Sequence, residues 1–256
     1  MVQIDLLFDP FEATWPDVRE GALAAEGEGF DGVWLYDHLA GSVHRQRWVL
    51  ECWTTLTAIA VAVPRIRVGS MVLNVANRDP GTLAVMAATL QQVSGGRLML
   101  GLGAGGGRNT PYASEQRALG RPVPGDIARR AAVAQAVSTL RAVWTGTTEK
   151  VSGFLAPDPT PPILLGAFGP KMAALAGHIA DGINVPDGPG VGRLLDVARL
   201  ARTSRRADAS PLLVTVSSNL SSSALERLAG LGADRSITFV RAPFAEEVRR
   251  LGALRP

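Results

Sequence analysis

Short apolar runs alternate with longer helical stretches eight times along 256 residues. This rhythm constrains the fold more than any other feature, because strands separated by helices pair in parallel through βα units. The apolar runs fall at 3–8, 33–36, 67–73, 97–102, 163–167, 182–185, 212–218 and 236–240. Helical spacing fills 15–29, 48–63, 80–93, 129–144, 170–180, 193–202, 223–231 and 244–254. Pro64 stops the second helix; Asp79 and Pro80 supply a cap and a first helical position for the third. Residues 103–128 and 145–162 read as long loops. Eight units in about 250 residues match a closed barrel. The chain is therefore expected to be α/β, a (β/α)8 TIM barrel forming one domain over residues 1–256, with a doubly wound open sheet as the alternative.

Composition narrows the partners. Apolar residues make up 46% of the chain, enough for a large core, while the formal net charge is only +3 and no block of like charges occurs. Neither nucleic acid nor a charged membrane surface is expected to bind. Lysine occurs only at Lys150 and Lys171, and Cys52 is the single cysteine. A lone thiol cannot form an internal disulfide and suits a reducing cytoplasm. No apolar stretch reaches the roughly 18–20 residues of a membrane span, so a soluble cytoplasmic protein is expected.

In a barrel the chemistry gathers at the C-terminal ends of the strands, which selects four segments. The first is Asp37-His38: either an imidazole tuned by a carboxylate for proton transfer, or a turn capped by Asp37. The second is residues 101–106, which match the spacing of a dinucleotide-binding loop. The following Arg108-Asn109-Thr110-Pro111 opens no helix, so a Rossmann site is not expected. Gly103, Ala104, Gly105 and Gly106 then form either a loop that lets a flat ring approach the backbone or a merely flexible one. The third runs from Gly166 through Ala167, Phe168 and Gly169 to Pro170 and Lys171. It reads equally as an anion site at a helix N-terminus or as an ordinary turn. The fourth surrounds Ser70, Met71, Val72 and Asn74, where a small polar residue within a β-branched strand indicates a bulge or a close approach to a ligand, or the segment is a plain core strand. His38, His44 and His178 lack metal-ligand spacing, so no metal is expected. His44 is within reach of the barrel mouth, though nothing requires it there. Trp34, Trp48, Trp53 and Trp144 read as core or helix-packing residues.

Several segments taken in order resemble the luciferase-like monooxygenase superfamily. They are residues 26–34, Asp37-His38, Ile66-Arg67-Val68-Gly69-Ser70, Arg78-Asp79-Pro80, residues 92–105, residues 162–169 and Ala180-Asp181-Gly182-Ile183-Asn184. The resemblance is carried by residues 1–185; the remainder matches in rhythm only. It implies a flavin or deazaflavin ring at the barrel mouth and a non-proline cis peptide at Met71–Val72. Asp37-His38 resembles the signature of the deazaflavin branch, which implies coenzyme F420 as hydride carrier and a small organic substrate. His38 would then be the proton donor or base, oriented by Asp37, and both would also contact the cofactor. Met71, Val72 and Asn74 would sit behind the ring, residues 103–106 along its side chain, and residues 166–171 at its phosphate. An acid in the relatives' pattern beyond the Gly-rich loop corresponds to Glu115. The resemblance further implies a homodimer. An FMN-dependent monooxygenase and a non-catalytic cofactor-binding member are the alternatives.

Overall fold

The computed structural model describes residues 1–148, 151–205 and 210–255. Residues 149–150 of the expected 145–162 loop lie outside the described residues. The strands are β1 (Gln3–Phe8), β2 (Gly32–Leu35), β3 (Arg67–Ser70), β4 (Leu73–Asn74), β5 (Leu98–Gly103), β6 (Ile163–Gly166), β7 (Gly182–Pro186), β8 (Leu213–Ser217) and β9 (Arg235–Val240). All pair in parallel, and β1 joins both β2 and β9. β3 and β4 are two halves of one stave. β3 pairs with β2 and β5, whereas β4 pairs with β5 at Leu73–Leu102 and Asn74–Gly103. Counting that pair once gives the eight staves of a closed barrel, as expected.

Nine α-helices accompany the strands among the described residues: α1 (Trp15–Gly27), α2 (Cys52–Ala62), α3 (Pro80–Val93), α4 (Ala113–Ala118), α5 (Asp126–Trp144), α6 (Pro170–Ile179), α7 (Val191–Arg205), α8 (Ser222–Gly230) and α9 (Phe244–Gly252). Thr14 and Asp17 form a capping box on α1. Asp79 caps α3 through the Thr82 N–H, with Pro80 at its start, as the sequence indicates. Two expectations need correction. α2 starts four residues later than Trp48, because Glu51 accepts from the Trp53 and Thr54 N–H groups and caps the helix there. The backbone of residues 48–50 is bonded instead to the 10–12 segment. The expected 103–128 loop contains α4 and the first residues of α5. α4 is too short to stand on propensity; tertiary contacts of Glu115 and Gln116 hold it.

The core has two shells. Inside the barrel lie Leu7, Trp34, Met71, Met99, Leu164 and Ile237. Between the barrel and the helices lies a much larger layer that includes Leu6, Phe8, Leu35, Leu56 and Leu140. Trp34 fills the barrel beneath the mouth, where its indole N–H donates to Asp5 at 2.8 Å. Trp53 and Trp144 are buried, but Trp48 is 43% exposed and lies under the Arg47 guanidinium, not in the core. Among the described residues no helix is long and apolar enough to cross a membrane.

Candidate active site

Parallel strands put every C-terminal end on one side, and two cavities open there, of about 700 and 780 Å³. Their common wall includes Met71, Val72, Tyr36 and Phe168. That wall exists because the third stave breaks. The Met71–Val72 peptide is cis, as the family resemblance implied, and Val72 is pushed toward β5. A Cβ on Gly103 would overlap the Val72 side chain, so glycine makes the close approach possible. Below the break, the Ser70 hydroxyl donates to the Gly101 carbonyl at 2.9 Å and accepts from the Gly101 N–H at 3.1 Å. Thus Ser70 ties the interrupted stave to its neighbour, and the bulge reading holds over the plain core strand.

His38 lies in the first cavity, together with Asp37, His44, Tyr112 and Glu115. The carboxylate facing its ring is Glu115, not Asp37, which corrects the expected orienting role of Asp37. His38 Nδ1 lies 3.3 Å from Glu115 Oε1, and that oxygen also accepts the Leu39 and Ala40 N–H groups at 3.0 Å each. Burial pushes the Glu115 carboxyl up, but the His38 contact and the two backbone N–H bonds outweigh it, holding the group below the usual carboxylate range. Asp37 is occupied elsewhere. It accepts the Asn74 N–H at 2.8 Å, the Asn77 amide at 3.2 Å and both Arg78 amino groups at 2.9 Å. It is neither a turn cap nor the imidazole's partner: it fixes the loop after β4. Tyr36, beside His38, is pushed up to about 12 by burial first and by the Asp9 charge second, so it remains a phenol.

The rest of the lining is largely backbone and cationic side chains. Gly105 has a φ of +68° and a Cβ there would come within 2.5 Å of the Asn74 amide, so both conformation and space call for glycine. Arg129 of α5 donates to the Ala104 carbonyl at 3.0 Å and also to the Gly105 carbonyl, so the loop is tied down rather than loose. Gly166, Phe168, Gly169, Pro170 and Lys171 complete the lining. Gly169 stands just before α6 as its N-cap and brings no side-chain cap, which leaves that helix end suited to an anion. Phe168 is 87% exposed, whereas Ala167 is 1% exposed and does not line either cavity. Ala167 is therefore removed from the expected site; its N–H bonds to Asn184 in the next stave.

Sequence reasoning placed thirteen of its fourteen site residues on this cavity and missed Tyr36, Tyr112, Asp126, Arg129, Arg130 and Met172. His44, which the sequence left without a role, lines the same cavity. Arg129 carried one usable signal, an Asp126 three residues earlier with which it pairs at 2.8 Å; the others carried none.

The Glu115 clasp makes a pH prediction. Because its folded-state pKa is depressed, its contribution is complete above the ordinary carboxylate range and disappears as pH falls through the folded value. The stability difference between the native chain and Glu115→Gln should therefore narrow in acid. Urea unfolding of both proteins at neutral and acidic pH measures it; a constant difference would remove the charge from the clasp.

The family model described as luciferase-like monooxygenase matches residues 6–229. An F420-dependent glucose-6-phosphate dehydrogenase from Nakamurella multipartita is 33% identical over 183 residues, covering 67% of this chain and 52% of that protein. A 5,10-methylenetetrahydromethanopterin reductase from Methanolobus tindarius is 32% identical over 166 residues, covering 63% and 47% respectively. The chain spans about half the length of these curated relatives. The structure of an F420-dependent secondary alcohol dehydrogenase, in complex with an F420–acetone adduct, superimposes with a TM-score of 0.83 at 18% identity. The match covers 100% of this chain and 98% of that one; at this identity it establishes the shared fold.

Proposed function

This chain belongs to the luciferase-like monooxygenase family, and from that premise we propose that it is an oxidoreductase moving a hydride between coenzyme F420 and a small organic substrate. The reading rests on one observation: four stave ends meet around a single cavity whose lining holds both an imidazole–carboxylate pair and a group of cations beside glycine-rich backbone. The name of the Nakamurella multipartita relative points the same way.

The residues fit the carrier. Met71 and Val72, with glycines opposite, offer a surface on which a flat ring can rest, and Asp37 fixes Asn74 at its edge through the backbone. Gly103, Ala104, Gly105 and Gly106 border the side chain of the ring. The phosphate is assigned to Gly166, Phe168, Gly169 and Lys171, with Arg129 and Arg130 nearby. The bound coenzyme supplies the hydride chemistry. The chain supplies position, and His38 holds or releases the proton that balances the hydride, with Glu115 fixing its ring.

Fluorescence and absorbance titration with F420 and with FMN tests the proposal. Binding and turnover with F420 are expected. Tight binding of FMN alone, with oxygen consumed by the reduced flavin, would instead make the chain an FMN monooxygenase. Cofactor binding without any turnover would make it a non-catalytic member. Lys171→Ala should weaken F420 binding about five- to tenfold, the scale of one charge at a helix N-terminus. It should leave binding of the unphosphorylated deazaflavin ring unchanged; equal losses for both ligands would remove Lys171 from the phosphate site.

We further take residues 1–256 to work as one domain, in the cytoplasm and as a homodimer. The sole cysteine is buried, and cell fractionation checks the compartment. Trp15, Leu23, Val61 and Val85 are exposed on α1, α2 and α3, an apolar surface suited to a second copy. Light scattering should give twice the 26.9 kDa chain mass, and Val61→Glu should return it to one chain.

A further inference from the structure

A second imidazole adjoins His38, and the reaction proposed above gives it no task. His44 ends a one-turn 3-10 helix (Gly41–His44). Its ring centroid lies 5.2 Å from that of His38, edge to face. Phe11 and Tyr112 pack against both rings, at 4.6–5.6 Å. The two histidines differ in their access to water. The His38 side chain is 17% exposed and meets Glu115, whereas His44 is exposed at the rim of the same cavity.

A half-buried imidazole can give up its proton only once unless something restores it. A bound substrate and carrier would cover the inner ring and leave the outer one facing solvent. We propose that His44 is the outer member of a two-histidine relay, carrying the proton between bulk solvent and His38. This rests on the function proposed above. For reduction of a carbonyl by reduced F420, the carbon gains the hydride and the oxygen takes the proton from His38, breaking its N–H bond. Neutral His38 then accepts a proton from the His44 imidazolium, directly or across one water, and water or buffer reprotonates His44. Each turnover consumes one hydride and one proton, and both rings return to their starting states. Oxidation of an alcohol reverses every transfer.

The surroundings of His44 suit this task. Facing it are His38, the carboxylates of Asp9 and Glu115, the Arg241 guanidinium and the Tyr112 phenol. Partial burial, and next the His38 charge, outweigh the two carboxylates and hold His44 below its ordinary value. Its imidazolium is thus an acid that discharges readily toward an inner base. Because it acts through His38, His44 is a relay residue rather than one that touches substrate.

His44→Phe keeps the ring packing and removes the proton. In dilute buffer without imidazole, kcat should fall about tenfold or more, with KM near the native value. The solvent deuterium isotope effect should rise, and added imidazole should restore the rate while leaving the native enzyme unaffected. His44→Gln should behave alike. A second readout needs no carrier: in the free protein, the NMR titration of His44 should move up when His38 is replaced by Gln. The relay is overturned by native turnover of His44→Phe in dilute buffer, by a loss that imidazole does not restore, or by a His44 titration indifferent to His38→Gln. If the native protein neither binds nor turns over F420, the functional reading falls, and the titration alone then decides whether the two rings are coupled.

Discussion

Asp5→Ala is expected to destabilise the fold by about 3–5 kcal/mol, the scale for breaking a buried ion pair by removing one partner. Asp5 points into the barrel from β1 and is fully buried. Its two oxygens accept Arg235 Nη2 and Nε at 2.6 Å each, and one of them also accepts the Trp34 indole N–H. Arg235 is 2% exposed; burial pushes its pKa down, and the Asp5 carboxylate more than reverses this. Alanine would leave a buried guanidinium with neutral Gln3 but no carboxylate, and a buried indole N–H without its acceptor. The loss falls on the seam where the first and last strands pair, with β2 drawn in through Trp34. Against a typical total of about 5–15 kcal/mol, that is a large share. Asp5→Asn should cost less, because its amide oxygen still serves Trp34. Asp5→Leu combined with Arg235→Met should recover much of the loss, since the stranded charge is gone. Urea unfolding followed by far-UV circular dichroism measures all three. A change under about 1 kcal/mol in Asp5→Ala would mean that water reaches Arg235 and that the seam does not depend on the pair.

The rhythm of the barrel was legible because each stave carries its own signal: an apolar run, a cap and a stop. Asp79-Pro80 marks a helix start with no help from the rest of the chain, and Ser70 within an apolar strand marks the bulge. Convergence of the strand ends then follows from parallel topology alone. The partners within the site were not legible for the opposite reason. His38 meets Glu115 across 77 positions of sequence, through a six-residue helix that no local propensity supports. Asp37 stands next to His38 in the chain and so invited a pairing that long-range partners pre-empt. Its carboxylate is turned to Arg78, Asn77 and Asn74, forty or so positions on. Ala167 failed similarly: just past β6 its N–H bonds across to Asn184 and its side chain is buried, while Gly166 and Phe168 on either side reach the cavity.

His38→Ala is expected to lower kcat about 10²–10⁴-fold with F420, the usual contribution of a positioned acid or base, while carrier affinity changes little. The separation follows from the layout. The surfaces assigned to the ring and phosphate lie at the β3–β4 break, at and just past the ends of β5 and β6, and at the start of α6, whereas His38 comes from the segment after β2 and touches Glu115 and the aromatic rings around it. Glu115→Gln should give a smaller loss, because an amide oxygen can still accept the Leu39 and Ala40 N–H groups but no longer offers the imidazole a charge. Since Glu115 acts through His38, the two changes should not add: the double variant should be no slower than His38→Ala alone. Multiplied losses would instead give Glu115 its own contact with the reacting molecules. Native kcat in His38→Ala would take proton transfer away from this imidazole, and the search would move along the same wall to Tyr36, whose raised pKa keeps its proton on the phenol at neutral pH.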